Sequence, residues 1–143
     1  MATMKIIYWS ASGNTEAMAN AIAEGARGAG AAVELQQVSE TGPDEALQCD
    51  LLALGCPAMG DEVLEEGEFD PFFTELEPRL TGKKVALFGS YGWGDGQWMR
   101  DWVQRTNDAN ANIYTDEGLM VNETPDADAL EKCKEFGKGF AAY

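Results

Sequence analysis

The amino-acid sequence predicts an α/β domain on a doubly wound parallel sheet, with five strands in the order 2-1-3-4-5 and helices on both faces. Two observations carry that prediction. Apolar runs of strand length alternate with helical patterns along the whole chain, which implies right-handed crossovers and a parallel sheet. With 143 residues and 45% apolar composition, residues 1–143 read as one domain large enough to need neither metal nor disulfide staple. No repeat, linker or low-complexity segment marks a second unit.

The elements follow in order. Met4–Trp9 (MKIIYW) is a short buried-strand run. A helix follows from about Thr15 to Gly28, with Met18, Ile22 and Ala26 at four-residue spacing and Gly28 and Gly30 ending it. Ala32–Val38 is a second strand, closed by the turn residues Thr41-Gly42-Pro43-Asp44. Asp50–Cys56 (DLLALGC) is a continuous apolar run, suited to a strand covered on both faces. Phe69–Leu80 reads as a helix interrupted late by Pro78, and Lys83–Ser90 (KKVALFGS) as the fourth strand. Gln97–Asn107 is helical, Asn112–Val121 is a polar, broken edge strand, and Asp126–Tyr143 is a last helix.

Composition removes several kinds of chemistry. There is no histidine, so histidine acid/base catalysis and histidine metal ligation are excluded. Cys49, Cys56 and Cys133 are scattered, without a C-x-x-C pair, and are expected to be reduced, largely buried residues rather than cluster, zinc or disulfide ligands. Net charge is −15, from 25 acidic and 10 basic residues, a field that repels nucleic acid and anionic membranes; it would attract basic proteins, although composition alone favours a surface that merely confers solubility. Met1-Ala2-Thr3-Met4-Lys5 lacks a signal peptide's basic and apolar regions, and no apolar run has membrane-helix length, so the expected address is cytoplasmic.

In a sheet of this order, ligands bind beyond the carboxyl ends of the strands, where strand order reverses. The loops after strands one, three and four carry the least ordinary sequences. The first, Ser10-Ala11-Ser12-Gly13-Asn14-Thr15, offers hydroxyls, an amide and a glycine at a helix start. Free N–H groups and the helix dipole there make an anion site without lysine or arginine. Neither a P-loop nor a G-x-G-x-x-G fingerprint is present, so a permanently bound phosphate monoester fits better than a nucleotide being hydrolysed. Taken alone the loop also reads as an ordinary helix cap, but one cap does not require hydroxyls at Ser10, Ser12 and Thr15 together.

The second loop is Cys56-Pro57-Ala58-Met59-Gly60-Asp61-Glu62. Met59–Glu62 can form a four-residue turn with glycine second, as type II′ demands, and that glycine lets a peptide unit reorient. Met59 offers a polarizable thioether to an aromatic ring, and Glu62 an acceptor to a ring imide. A plain surface turn is the alternative. The third loop, Ser90-Tyr91-Gly92-Trp93-Gly94-Asp95-Gly96, sets a tryptophan between bare glycines, poorly placed for a core and well placed for stacking on a planar ligand. Trp9, Trp98 and Trp102 read as packing residues.

With these loops in view, the chain resembles the short-chain flavodoxins of anaerobic bacteria over essentially its whole length. The matching segments are Tyr8-Trp9-Ser10 with Gly13-Asn14-Thr15, then Gly55–Glu62 (GCPAMGDE) and Gly82–Asp95 (GKKVALFGSYGWGD), and no insertion splits the fifth strand. The resemblance implies a flavodoxin-like three-layer fold and one non-covalent FMN. Ser10, Ala11, Ser12, Gly13, Asn14 and Thr15 would cradle its phosphate, and Met59 and Trp93 would sandwich its ring. The Gly60 carbonyl would turn toward the N–H that the reduced ring gains, with Glu62 on the imide and Asp61 supporting the turn. Pro57 and Ala58 belong to the same wall, and Ser90, Tyr91, Gly92, Gly94 and Asp95 would line the pyrimidine side and ribityl approach. Ala11 stands where glycine is common, Ser12 where threonine is usual, and Pro57 where some relatives have serine.

The implied function is a low-potential one-electron carrier, not an enzyme, moving between semiquinone and hydroquinone. The acidic stretch Asp61, Glu62, Glu65, Glu66, Glu68 and Asp70 would make full reduction harder. Expected partners are basic-patched redox proteins such as ferredoxin-type reductases and oxidoreductases, met by a monomer. A flavodoxin-like NAD(P)H:quinone reductase is one alternative, although such enzymes usually run longer. A receiver-type signalling domain is another; it would need acids where Ser10 and Cys56 stand.

Overall fold

The computed structural model describes residues 2–143; Met1, which begins the expected domain, lies outside them. The sheet is parallel, in the order β2 (Ala32–Gln37), β1 (Thr3–Tyr8), β3 (Leu51–Gly55), β4 (Lys84–Tyr91) and β5 (Asn112–Ile113). A further short strand, β6 (Leu119–Asn122), also pairs with β4. The register sets Ile6 beside Ala53 and Ala53 beside Ala86, so the apolar runs line up across the sheet. β3, whose five residues are all buried, is the middle strand that its unbroken apolar run predicts.

Alternation along the strands divides the core into two layers. Met4, Ile6, Leu51, Ala53, Ala86 and Phe88 face α1 (Asn14–Gly28) and α5 (Ala127–Ala141). Ile7, Leu52, Leu54, Val85 and Leu87 face α3 (Phe69–Leu76) and α4 (Gln97–Asp108), with the short α2 (Pro43–Ala46) beside them. The turn predicted around Pro43 thus continues into a helix, with Pro43 in its first turn where a missing N–H costs nothing. Pro78 ends α3 earlier than expected: the chain passes into a 3₁₀ turn at Glu77–Arg79.

The broken edge strand is broken by a turn. Tyr114–Asp116 lies between β5 and β6, with Thr115 and Asp116 both left-handed (φ 64° and 62°). Both pieces keep pairing with β4, so the sheet continues across the interruption.

Two glycines set how close α1 and α5 lie. A β-carbon at Gly25 would overlap the Lys134 carbonyl, and one at Gly137 would overlap the Ile22 carbonyl. The helices therefore meet backbone to backbone at a reciprocal pair of bare positions. On the opposite face Arg105 joins α4 to α3, reaching Asp70 at 3.0 Å and Glu77 at 2.7 Å with its guanidinium over the Phe73 ring. Burial alone would lower the Arg105 pKa, but the two carboxylates outweigh it and raise it. Among the described residues, no helix is long and apolar enough to cross a membrane.

Candidate functional site

The carboxyl ends of β1, β3 and β4 deliver their loops to one place. A groove of about 290 Å³ opens there, walled by Ala11, Ser12 and Asn14 from the first loop. Pro57, Ala58 and Met59 come from the second and Ser90, Tyr91 and Gly92 from the third. None of the residues lining the groove is a lysine or arginine. A larger cavity of about 570 Å³, near Cys49, Lys83 and Tyr143, lies at the amino ends of the strands. Strand-end chemistry favours the smaller one.

The first loop is braced from within. Ser10 Oγ accepts hydrogen bonds from the N–H of Gly13 (3.2 Å) and Glu16 (3.3 Å), and Ser12 Oγ lies 3.5 Å from the Asn14 N–H. Gly13 is left-handed at φ 93°, a conformation that costs a residue with a β-carbon about 1–2 kcal/mol. Gly13, the residue that opens α1, has no side chain to cap it; Ser10 takes the Glu16 N–H instead, and the dipole's positive end still faces the loop for an anion. Thr15 is placed differently from its neighbours. It is fully buried, its hydroxyl shares a 3.0 Å hydrogen bond with Ser90 Oγ, and the Ser90 N–H donates to it at 3.4 Å. The pair ties the first loop to the third from beneath. Tyr8 donates to Glu16 at 3.0 Å; burial and that carboxylate raise its phenol pKa.

The second loop closes by a turn other than the type II′ form that its sequence suggests. The Glu62 N–H donates to the Met59 carbonyl (2.8 Å) and the Met59 N–H to that of Val63 (3.0 Å), but Gly60 has no positive φ. Glu62 is the left-handed residue, at φ 53°, so the conformational burden falls two positions later. A β-carbon at Gly60 would meet nothing within 4 Å. Neither space nor backbone angle requires glycine there in this conformation.

Glu62 reaches across to the third loop, where its carboxylate fills the space a β-carbon at Gly94 would take. Its Oε1 is buried and has no hydrogen-bond partner among the described residues. Trp93 is 61% exposed, as its glycine flanks predict, while Asp95 holds Arg100 at 2.8 Å.

Several contributors escaped the sequence reading. Glu65, read there only as one of an acidic run, accepts from the N–H groups of Gly67 (2.6 Å), Glu68 (2.7 Å) and Phe69 (2.9 Å) and so fixes the loop's return into α3. Burial alone would raise the Glu65 carboxyl; the three donors outweigh it and hold it below the ordinary 4.5. A glutamate just ahead of a helix start was the available signal. Trp9 and Glu123 also line the groove, Trp9 donating to Glu68 at 3.3 Å and the Glu123 N–H to the Tyr91 carbonyl at 2.7 Å. Glu123 enters from beyond β6, too remote in sequence to read. The cysteines are free: Cys56 and Cys133 are buried, and burial pushes their thiols up to about 12 and about 11.

The family model described as Flavodoxin matches residues 6–137. The flavodoxin of Clostridium beijerinckii is 53% identical over 138 residues, spanning 96% of this chain and 99% of its own. That of Megasphaera elsdenii is 50% identical over 138 residues, spanning 96% of this chain and 98% of its own. The solution structure of two-electron reduced Megasphaera elsdenii flavodoxin superposes with a TM-score of 0.89, covering 98% of this chain and 99% of that one.

Proposed function

The chain belongs to the flavodoxin family, and from that premise we propose that it carries single electrons on one non-covalent FMN, with its three loops dividing the work. The family moves electrons rather than converting a substrate, and relatives matched along their whole length favour neither the quinone-reductase nor the receiver reading. When bound, FMN supplies the redox chemistry; the protein binds it and sets its electrostatic surroundings. The residues fit it on two counts. A helix start behind a left-handed glycine, with no side chain on the residue that opens it, offers its positive end to a phosphate. The Glu62 carboxylate, which has no hydrogen-bond partner on Oε1 among the described residues, offers acceptors to a ring imide.

Ser10, Ser12, Gly13 and Asn14 hold the phosphate, with Thr15 acting from below through Ser90. Met59 and Trp93 would hold the ring between them, and the Glu62 carboxylate would accept the imide N–H. The Gly60 carbonyl would be the acceptor for the N–H that a reduced ring carries, its peptide being free to turn toward it. The observation that carries this reading is Gly60 itself: the conformation seen puts no demand on a glycine and leaves open space around it, so its peptide unit is free to reorient. Following the visible spectrum of the FMN-loaded protein through stepwise reduction tests it. Two separated one-electron steps are expected; a single two-electron step would overturn the reading.

Electrons pass to redox partner proteins through a brief contact at the ring edge, made by a monomer in the cytoplasm. With 25 acidic against 10 basic residues, the surface steers partners bearing basic patches and repels nucleic acid and anionic membranes. Transfer rates fall steeply as salt is added. A rate indifferent to ionic strength would rule out acidic steering.

A further inference from the structure

Behind the second loop, between α3 and α4, a cavity of about 130 Å³ is lined by Glu62, Asp70, Asp101, Trp102 and Arg105, with Val63, Leu64 and Trp98. Two of these residues carry buried polar atoms without a hydrogen-bond partner among the described residues: the Trp102 indole nitrogen and Glu62 Oε1. One is a donor and the other an acceptor. Trp102 is only 1% exposed and is fixed edge-on against Phe69 and Phe73, with ring centroids at 5.4 and 6.0 Å. It has no freedom to seek a partner elsewhere. The neighbouring Trp98 is equally buried, but its indole N–H donates to the Cys56 carbonyl at 3.1 Å.

A buried N–H left unpaired costs about 1–3 kcal/mol, and folded proteins rarely leave one so. The cavity is far larger than the ~10–15 Å³ that one water requires, and its polar lining offers the two to four partners a water needs. An indole donor in the wall also disfavours a bare cation and suits a molecule that accepts as well as donates. Arg105 is already engaged by Asp70 and Glu77, so it does not compete for Glu62.

We propose that this cavity holds ordered water joining the Trp102 indole N–H to the Glu62 carboxylate, which makes Trp102 a positioning residue for Glu62. The inference rests on the reading that Glu62 receives the ring imide. A carboxylate braced from behind keeps one oxygen directed at the ring, while the turn carrying Gly60 moves independently.

Indole nitrogen-labelled, FMN-loaded protein tests this by NMR. The Trp102 indole proton is expected to show a cross-peak to water, and the Trp98 indole proton to show none. Glu62→Gln is expected to shift the Trp102 resonance and leave that of Trp98 in place. A Trp102 proton without water contact, or one that Glu62→Gln does not move, overturns the proposal. The imide reading fails separately, if Glu62→Gln binds FMN as tightly as the parent protein does. The water contact is then still measured on the parent.

Discussion

The first and second loops face the same groove and are built on opposite principles. The first is tied at every level: Ser10 accepts two backbone N–H groups, Thr15 is locked to Ser90, and α1 is pressed onto α5. The second is held at its base, where Glu65 gathers three N–H groups. Its tip, closed by backbone bonds from Glu62 to Met59 and from Met59 to Val63, holds a glycine with open space around it and a glutamate in the left-handed region. The difference fits what each loop is proposed to bind. A phosphate keeps its charge throughout, so a rigid cradle suits it, whereas a ring that changes protonation needs a neighbour that can change with it.

The contrast can be broken most forcefully at its rigid side. Thr15→Val leaves the buried Ser90 hydroxyl unpartnered and should lower apoprotein stability by about 1–3 kcal/mol in urea unfolding. An unchanged midpoint would mean that the first loop is not braced from beneath. Gly13→Ala meets no steric obstacle but must hold the left-handed angle, so FMN binding should weaken about tenfold by fluorescence titration, the ~1–2 kcal/mol of that strain. Both one-electron potentials should keep their separation.

Glu65→Ala probes the base of the second loop and should cost about 1 kcal/mol, as lost helix caps do. Its sign with pH is fixed by the depressed carboxyl. The contribution of Glu65 is present above the ordinary value of 4.5 and disappears as pH falls through the lower folded value. The stability gap between the parent and Glu65→Ala should therefore close in acid; a gap constant with pH would remove the carboxylate from that role. Gly60→Val should be the mildest for folding, since its side chain enters open space, yet it should bring the two one-electron potentials together. An unchanged separation would take Gly60 out of the mechanism.

Much of this was legible in the residues. Strand runs and helix stripes located every major element, and glycines around Trp93 foretold its exposure because nothing beside it could bury an indole. What sequence could not show were matters of direction. Thr15 sits among ligand-facing hydroxyls in sequence, but α1's periodicity turns it inward. The Met59–Glu62 turn contains a glycine where type II′ wants one, yet bonding to Val63 moves the left-handed residue to Glu62. The three donors gathered by Glu65 appear only once the chain has folded back upon itself.

The bare crossing of Gly25 and Gly137 bears on the order in which the protein becomes competent. The first loop and α1 are synthesised before residues 127–141, with the other strands and helices between them. Until they emerge, the Ile22 and Ala26 side of α1 has no α5 to close over it, and the helix behind the first loop has no fixed seat. The part of the site that is made first thus gains its firm seat only once α5 has been made and has packed against α1.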